Sequence, residues 1–273
     1  MKSKDDLIKL NKEQKAFYNN EEAYVKPNLF SRLWRGFRNG PLNGFQKQYA
    51  LRQRMYDLHK EWMGDLSDKK VLDLGCLRGN TLSLYMAEHA REYVGIDLSD
   101  VAIAELNKKL EPLNKPSARA LAVDFLSDEF TDGDFDIIYA FGVLHHFQNF
   151  EVLLQRLTEK LKPGGEVISF DPLETSVPVQ GLRKLYRPFQ QDKDWEWPFN
   201  KKTFPHIEQY FDIRELRGVL GKTKYGLLLH LLPLNKAFKK RVIEKQIASD
   251  WRPQSYTEVL NCMQVTMRLS RRA

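Results

Sequence analysis

The sequence predicts an α/β protein with a doubly wound sheet of seven mostly parallel strands. Five short apolar runs alternate with helix-like segments between residues 70 and 172, which is the pattern of a parallel sheet. A turn bounded by glycines joins the first strand to its helix. The last segment, 264–270, alternates apolar and polar residues, as expected of a seventh strand.

The chain before the sheet is expected to be helical, at 4–18 and 46–63. Between these helices, the segment 30–40 mixes aromatic residues with arginines. Such interleaving can stack nucleic-acid bases and bind phosphates. The favoured interpretation is a cap that lays Trp34 and Phe37 on the core.

The first strand, 71–74, leads into a turn bracketed by Gly75 and Gly79, whose backbone a ligand can approach closely. The helix expected from Asn80 to about residue 90 points its N–H groups and positive dipole end at this turn. A cofactor site that receives a carboxylate or phosphate is therefore expected here. The nicotinamide fingerprint G-x-G-x-x-G fails, because Leu77 and Asn80 stand where glycines are required.

A second buried strand, 92–99, contains Asp97 at the spacing where a doubly wound sheet places a ligand for ribose hydroxyls. The alternative is that Asp97 caps the helix expected over 101–110. Ser99 or Asp100 can supply that cap instead.

The stretch VLDLGCLRG at 71–79 resembles motif I of the class I S-adenosylmethionine (SAM)-dependent methyltransferases, usually written V-L-D-L-G-C-G-x-G. The resemblance extends over about 65–172 and implies a Rossmann-like methyltransferase fold with SAM as cofactor. Leu77 replaces the middle glycine, and its Cβ is expected to crowd the cofactor or to force a strained backbone. A glycine turn without any ligand is the alternative interpretation.

Two further strands, 118–123 and 135–140, continue the series. Asp124 and Phe125 follow the first of these strands. At this position the family contacts the adenine amino group and packs the adenine ring. The alternatives are that Asp124 is a turn residue and that Phe125 belongs to the core. The cofactor-binding residues that the resemblance implies are Asp73, Gly75, Cys76, Leu77, Gly79, Asn80, Asp97, Leu98, Asp124, Phe125, Phe141 and Val143.

The loop 141–147 after the fourth strand carries His145 and His146, where small-molecule methyltransferases place a histidine facing the transferred methyl group. An imidazole titrates near neutral pH and can remove a proton from an attacking oxygen or nitrogen. A packing role is the alternative for each ring. Asp171, which ends the fifth strand, is expected to orient one histidine or to bind the substrate.

The fifth strand, 166–170, is expected after a helix over 150–161 and a turn at 162–165. The sixth is expected at 210–216. The domains predicted are a cap over 1–64 and a SAM-binding domain over 65–273, with insertions at about 172–209, a substrate lid, and 221–260. Side chains of the cap and lid that could line a pocket or grip an anion are Tyr18, Tyr24, Arg183, Tyr186, Arg187, Trp195 and Trp197.

Composition fits a soluble globular protein, with 42% hydrophobic residues in 273. Two cysteines offer no disulfide framework and favour a reducing cytosol, so a cytoplasmic location is expected. No metal-ligand cluster and no transmembrane segment are expected. Charge is uneven: residues 1–60 carry 13 Lys and Arg against 6 Asp and Glu, and 213–273 carry 13 against 4. Basic flanks can attract RNA, anionic lipid or an anionic substrate, and the apolar-then-basic insertion could contact a membrane peripherally.

The function that the sequence predicts is a SAM-dependent methyltransferase acting on a small molecule, most simply on an oxygen of a metabolite, lipid-like or sugar-containing acceptor. The N-P-P-[YFW] signature of adenine and amide N-methyltransferases is absent after the fourth strand. An RNA methyltransferase is the alternative that the basic flanks favour. A SAM-binding module without catalysis is the alternative that Leu77 suggests.

Overall fold

The computed structural model describes residues 11, 13–16, 19, 32, 36, 38–176, 180, 181 and 195–272. Most of the predicted helix 4–18, together with Tyr18, Tyr24, Trp34 and Phe37, lies outside the described residues. The lid residues Arg183, Tyr186 and Arg187 lie outside them too. Within the described part, no helix is long and apolar enough to cross a bilayer.

The sheet has the predicted seven strands, in the order β3-β2-β1-β4-β5-β7-β6. Their bounds are β1 Lys70–Leu74, β2 Glu92–Asp97, β3 Ala118–Ala122, β4 Phe135–Phe141, β5 Leu161–Pro172, β6 Phe211–Val219 and β7 Gln264–Arg271. The first five are parallel, and β7 runs antiparallel to both β5 and β6. The strand order reverses between β1 and β4, and ligands of doubly wound sheets bind at such a reversal.

Nine α-helices of the described chain surround this sheet. Their bounds are α1 Asn43–Gln48, α2 Leu51–Met63, α3 Thr81–His89, α4 Asp100–Leu110, α5 Phe150–Lys160, α6 Thr203–Tyr210, α7 Thr223–Leu231, α8 Lys236–Trp251 and α9 Tyr256–Val259. The helix predicted over 46–63 is divided at Ala50, whose φ of +50° is left-handed and interrupts the helical hydrogen bonds.

The core lies on both faces of the sheet, which explains why the parallel strands read as nearly continuous apolar runs. On one face, α2, α3 and α4 contribute buried side chains such as Trp62, Met86 and Leu106. On the other face, α5 and α6 contribute Leu153, Leu157 and Phe204 among others. The helix α2 therefore shares a hydrophobic core with the sheet.

A buried histidine ties α2 to the sheet. His59 is fully buried, with Nδ1 3.1 Å from the hydroxyl of Tyr139 on β4 and Nε2 2.8 Å from that of Thr266 on β7. Burial lowers the pKa of His59 to about 3, so the ring is neutral at physiological pH. Two hydroxyls therefore satisfy its two nitrogens without a buried charge.

The turn predicted at 162–165 is instead part of β5. The register advances from Phe135 opposite Leu161 to Ile137 opposite Glu166, so the chain at 162–165 bulges out of the ladder. Gly164 adopts a φ of +74° in this bulge. Sequence patterns identify the glycines, but pairing on both sides of them extends the strand.

Candidate functional site

The glycine turn after β1 is shaped by contacts within the protein. The N–H groups of Gly75 and Cys76 both donate to the carbonyl of Ile96 on β2, at 2.8 and 3.1 Å. Gly75 has a φ of +68°, and a Cβ on it would lie 2.4 Å from Cγ2 of Val143 in the loop after β4. Any side chain at residue 75 would therefore push apart the loops after β1 and β4.

Leu77 adopts the left-handed conformation, with a φ of +46°. Its N–H donates to Oδ2 of Asp97 at 3.0 Å, and its side chain is 36% exposed. A left-handed non-glycine residue costs roughly 1–2 kcal/mol. The strained backbone expected for Leu77 is present, and the hydrogen bond to Asp97 holds it in place.

Asp97 ends β2 with both carboxylate oxygens engaged by backbone. Oδ2 accepts the N–H of Leu77, and Oδ1 accepts that of Ser99 at 2.9 Å. Burial raises the pKa of Asp97, and these two hydrogen bonds oppose that shift. The hydroxyl of Ser99, and not Asp97, caps α4 by accepting from Ala102. Each oxygen of Asp97 has further lone pairs that ribose hydroxyls can use.

The N-terminus of α3 differs from the expectation in one respect. The side chain of Asn80 accepts from the N–H groups of Leu82 and Ser83, at 2.7 and 3.2 Å, and Ser83 returns a bond to the backbone of Asn80. This capping box uses two of the N–H groups that were expected to face a ligand. The positive end of the helix dipole still borders the turn.

A cavity of about 380 Å³ lies over the carboxyl ends of β1, β2, β3 and β4. Eleven of the twelve residues predicted to bind the cofactor line it, together with His146 and Phe147. The exception is Asp73, which is 2% exposed and lies beneath the turn, where its carboxylate accepts from the hydroxyl of Tyr93 at 2.9 Å. Burial raises the pKa of Asp73 to about 6. Asp73 is thus the one residue of the predicted set that does not line the cavity, and its geometry is that of a support for the turn.

His146 is the histidine of the predicted pair that reaches the cavity. Its Nδ1 lies 2.7 Å from the carbonyl oxygen of Trp195 in the lid. A carbonyl can only accept, so Nδ1 carries the proton and the neutral ring has its lone pair on Nε2. This tautomer is the one that a general base requires if Nε2 is to receive a proton.

His145 and Asp171 lie behind this position and do not line the cavity. Nδ1 of His145 is 2.9 Å from Oδ1 of Asp171, which also accepts the backbone N–H of His145 at 3.2 Å. Asp171 is fully buried, and burial raises its pKa well above the usual value. The rings of His145 and His146 are 4.1 Å apart. Direct catalysis by His145 or Asp171 does not fit this placement, whereas the predicted orienting role of Asp171 does.

The lid segment 195–199 runs against the histidine turn. The N–H of Trp197 donates to the carbonyl of His145 at 2.7 Å, close to the contact between Trp195 and His146. The segment also brings Glu196 beside the two histidines, with ligand atoms of the three residues within 4.8 Å of one another. This geometry could hold a metal ion. No spacing pattern in the sequence indicates this group, because Glu196 is some fifty residues from the histidines.

The cap supplies cavity residues that the sequence did not reveal, namely Asn11, Gln14, Arg52 and Tyr56. The amide of Asn11 donates to Asp124 at 2.8 Å. Arg78, the other arginine at the cavity, pairs with Glu105, whereas Arg52 has no ion pair among the described residues. The helical periodicity of 46–63 predicted the helix but not which face of it closes a cavity.

The residues present fit SAM. The cavity joins an acidic group at the end of β2, a polar and aromatic pair at the end of β3, and a turn whose backbone is open to a ligand. Asp97 offers acceptors for a diol, and Arg52 offers a cation for a carboxylate.

Comparison with known proteins agrees with this geometry. A family model described as a methyltransferase domain matches residues 46–230. Because this match covers more than half of the chain, the protein belongs to that family. It is a class I SAM-dependent methyltransferase.

Three individual proteins that resemble this chain share 30% or less of its sequence over the compared regions. A ubiquinone biosynthesis O-methyltransferase of Acinetobacter baylyi is 30% identical over 184 residues, which are 65% of this chain and 74% of that protein. An uncharacterized protein of Haemophilus influenzae is 30% identical over 154 residues, 55% of this chain and 58% of that protein. The N-methyltransferase NodS from Bradyrhizobium japonicum, solved with S-adenosyl-l-homocysteine, superposes with a TM-score of 0.51 at 13% identity, covering 81% of this chain and 87% of NodS. The last comparison supports the fold alone.

Replacing Leu77 with glycine should preserve or improve SAM binding. Glycine adopts a φ of +46° without the steric cost and keeps the N–H that Asp97 accepts. Calorimetric titration with SAM measures the effect, with Asn114→Gly, a second left-handed position, as the control. A clear loss of affinity would mean that the Leu77 side chain packs on the cofactor and that its strain is compensated.

Replacing Asp97 with alanine should weaken SAM binding by about 1.5–3 kcal/mol for each charge-assisted hydrogen bond removed. Asp212→Ala is the matched control, because Asp212 lies on β6 at the opposite edge of the sheet from β3 and does not line the cavity. Circular dichroism checks that both variants fold, and calorimetry compares their affinities. Unchanged affinity in folded Asp97→Ala would exclude Asp97 as the ribose ligand.

Replacing Arg52 with glutamine should weaken SAM binding about tenfold and leave binding of 5′-methylthioadenosine, which lacks the amino-acid carboxylate, unchanged. Arg54→Gln is the control, because Arg54 lies on the same helix and pairs with Glu244 instead of lining the cavity. Equal losses for both ligands would contradict a contact between Arg52 and the carboxylate.

Proposed function

We propose that the protein transfers the methyl group of SAM to an oxygen of a small, largely apolar acceptor, with His146 as the general base. The observation that carries this proposal is the contact between Nδ1 of His146 and the carbonyl of Trp195, because it leaves the lone pair of the neutral ring on Nε2. His146 is also the histidine that lines the cavity.

Methyl transfer needs alignment and the removal of one proton. Bound SAM supplies an electrophilic methyl group on a sulfonium. The chain must hold an acceptor oxygen in line with that methyl group and take the hydroxyl proton as the oxygen attacks. In this proposal Nε2 of His146 takes the proton, and the carbonyl of Trp195 stabilises the resulting imidazolium through the Nδ1–H bond.

His145 and Asp171 act as positioning residues. Asp171 binds both the backbone N–H and the ring of His145, so it fixes the short turn Leu144–His146 on which His146 is carried. The adjacent ring of His145 then limits the rotation of His146. A carboxylate that orients an imidazole is a common arrangement around catalytic histidines.

The surroundings favour an apolar acceptor with a hydroxyl group. Phe141, Val143 and Phe147 line the cavity together with His146, and the backbone of Trp195 and Trp197 contacts the histidine turn. The relatives named as ubiquinone biosynthesis O-methyltransferases support oxygen as the atom methylated. Phenols and catechols combine an apolar ring with a proton that an imidazole can help to remove.

An RNA acceptor is the second candidate, because both basic flanks could bind phosphates. Six of the eleven residues of the aromatic-arginine segment 30–40 that would carry RNA contacts, Trp34 and Phe37 among them, lie outside the described residues. Methyl transfer to RNA that falls steeply with salt would favour this candidate over the first.

The test begins with a panel of acceptors and measures S-adenosylhomocysteine release. The panel comprises catechols and phenols of increasing alkyl length, matched anilines and total RNA. Release with the hydroxylated compounds, and methyl ethers among the products, is the expected result. Transfer to the anilines alone or to RNA alone would contradict the proposal.

With the acceptor identified, His146→Ala should lower kcat by roughly 10²–10⁴-fold with nearly unchanged SAM affinity. Asp171→Asn should give a partial loss, and His89→Ala, on the exposed end of α3, should give none. Assays with and without a chelator distinguish a base from a metal held by His145, His146 and Glu196. Parental kcat in His146→Ala and in the double histidine variant would remove both rings from the mechanism.

A further inference from the structure

A helical hairpin far along the chain presents an unusual exposed end. It consists of α7, the connection at 232–235 and the first part of α8, and the segment from Leu228 to Arg241 is here named the hairpin tip. Every residue from Leu231 to Phe238 is exposed. Five of the exposed residues in the tip are large and apolar, namely Leu228, Leu231, Leu232, Leu234 and Phe238, with exposures between 44% and 64%.

The exposed apolar residues of α7 share one face. At 100° per residue, the positions of Tyr225, Leu228, Leu231 and the adjoining Leu232 fall within an arc of about 120°. The side chain of Tyr225 is 50% exposed and extends the apolar surface toward the base of the hairpin. Such a contiguous apolar surface normally marks a contact with a partner or a membrane.

The charge around this surface has a single sign. From residue 222 to residue 243 the chain carries six lysines and arginines and no Asp or Glu. Lys236, Lys240 and Arg241 are exposed beside the apolar residues. Lys239 instead donates to the carbonyls of His230 and Leu232, both at 3.0 Å, and so closes the end of α7.

The hairpin tip is built on a packed base. Gly226 allows close contact with α8, since a Cβ there would lie 2.7 Å from Oε1 of Gln246. Ile243 and Ile247 are fully buried, and Asn235 caps α8 by accepting from Ala237 and Phe238. The apolar end is therefore a preformed surface and not a frayed terminus.

We propose that the hairpin tip binds an anionic bilayer surface, with its leucines and Phe238 in the interface and Lys236, Lys240 and Arg241 on lipid phosphates. A second copy of the chain is disfavoured as the occupant, because a symmetric contact would bring the same cations together. Apolar side chains on a projecting end, with cations beside them, have the composition of an interfacial membrane contact.

The position of the hairpin connects this surface with the cap. The ring of His230 lies 5.7 Å from that of Phe45 on α1, and the buried base of the hairpin shares a core with Met55 on α2. The helix α2 carries the cavity residues Arg52 and Tyr56. The hairpin thus packs beside α1 and α2, although the proposed membrane contact depends on no step of the proposed reaction.

Co-sedimentation with vesicles tests the inference on the full chain. Vesicles of phosphatidylcholine alone are compared with vesicles that contain 30 mol% phosphatidylglycerol, at about 0.1 M and 0.5 M salt. We expect binding to the anionic vesicles that weakens at high salt.

The triple variant Lys236→Gln/Lys240→Gln/Arg241→Gln should lose on the order of a hundredfold in vesicle affinity, since each cation near the surface contributes about fivefold. Leu228→Ser/Leu232→Ser/Phe238→Ser should also lose binding.

Matched controls keep the test specific. Lys108→Gln/Lys201→Gln/Lys202→Gln removes three exposed charges elsewhere, and Leu84→Ser/Val101→Ser changes exposed apolar residues on α3 and α4. All variants should bind SAM like the parent, which shows that they fold.

The inference is overturned by a lack of binding to anionic vesicles, by binding that survives both hairpin variants, or by a dimer that Leu228→Ser/Leu232→Ser/Phe238→Ser abolishes. Salt-sensitive binding to RNA without binding to vesicles would overturn it as well.

Discussion

The closeness of the loops after β1 and β4 is the constraint on which the site depends. Gly75 and Val143 meet at a distance that leaves no room for a side chain at residue 75. The same contact fixes the start of the loop that carries the two histidines, which follows Val143 directly. The glycine is thus required by the protein's own packing, and a ligand benefits from a turn that the fold already imposes.

The fold could be predicted because its signals are local. Apolar runs, the acid after β2 and the glycines of the first turn are visible within a few residues of one another. The role of Asp73 could not be predicted, because the sequence is the same whether a carboxylate in a strand faces a ligand or the hydroxyl of Tyr93. Arg52 and Glu196 reach the site from distant segments, and no spacing rule connects them to it. The bulge in β5 was missed because strand pairing on either side overrides the usual meaning of Pro-Gly-Gly.

The two histidines illustrate how adjacent residues take different roles. They are consecutive in sequence, yet His145 is turned toward the buried Asp171 and His146 toward the cavity. The short turn Leu144–His146 keeps the two ring centroids 4.1 Å apart, and yet only His146 lines the cavity. The buried Asp171 stabilises the turn that carries both histidines, and the ring of His146 is oriented by that turn.

The neutral imidazole of His59 has a consequence for how ligands enter. It joins α2 to β4 and β7 through two buried hydrogen bonds, and exposing such groups unpaired costs on the order of 1–3 kcal/mol each. The helix α2, which carries Arg52 and Tyr56, is therefore held against the sheet and is not expected to move away when a ligand enters. Donor and acceptor are thus expected to enter past a part of the cavity other than α2; the cavity lining also includes Gln14, which donates to the carbonyl of His146 at 3.5 Å, and Asn11, which donates to Asp124 at 2.8 Å.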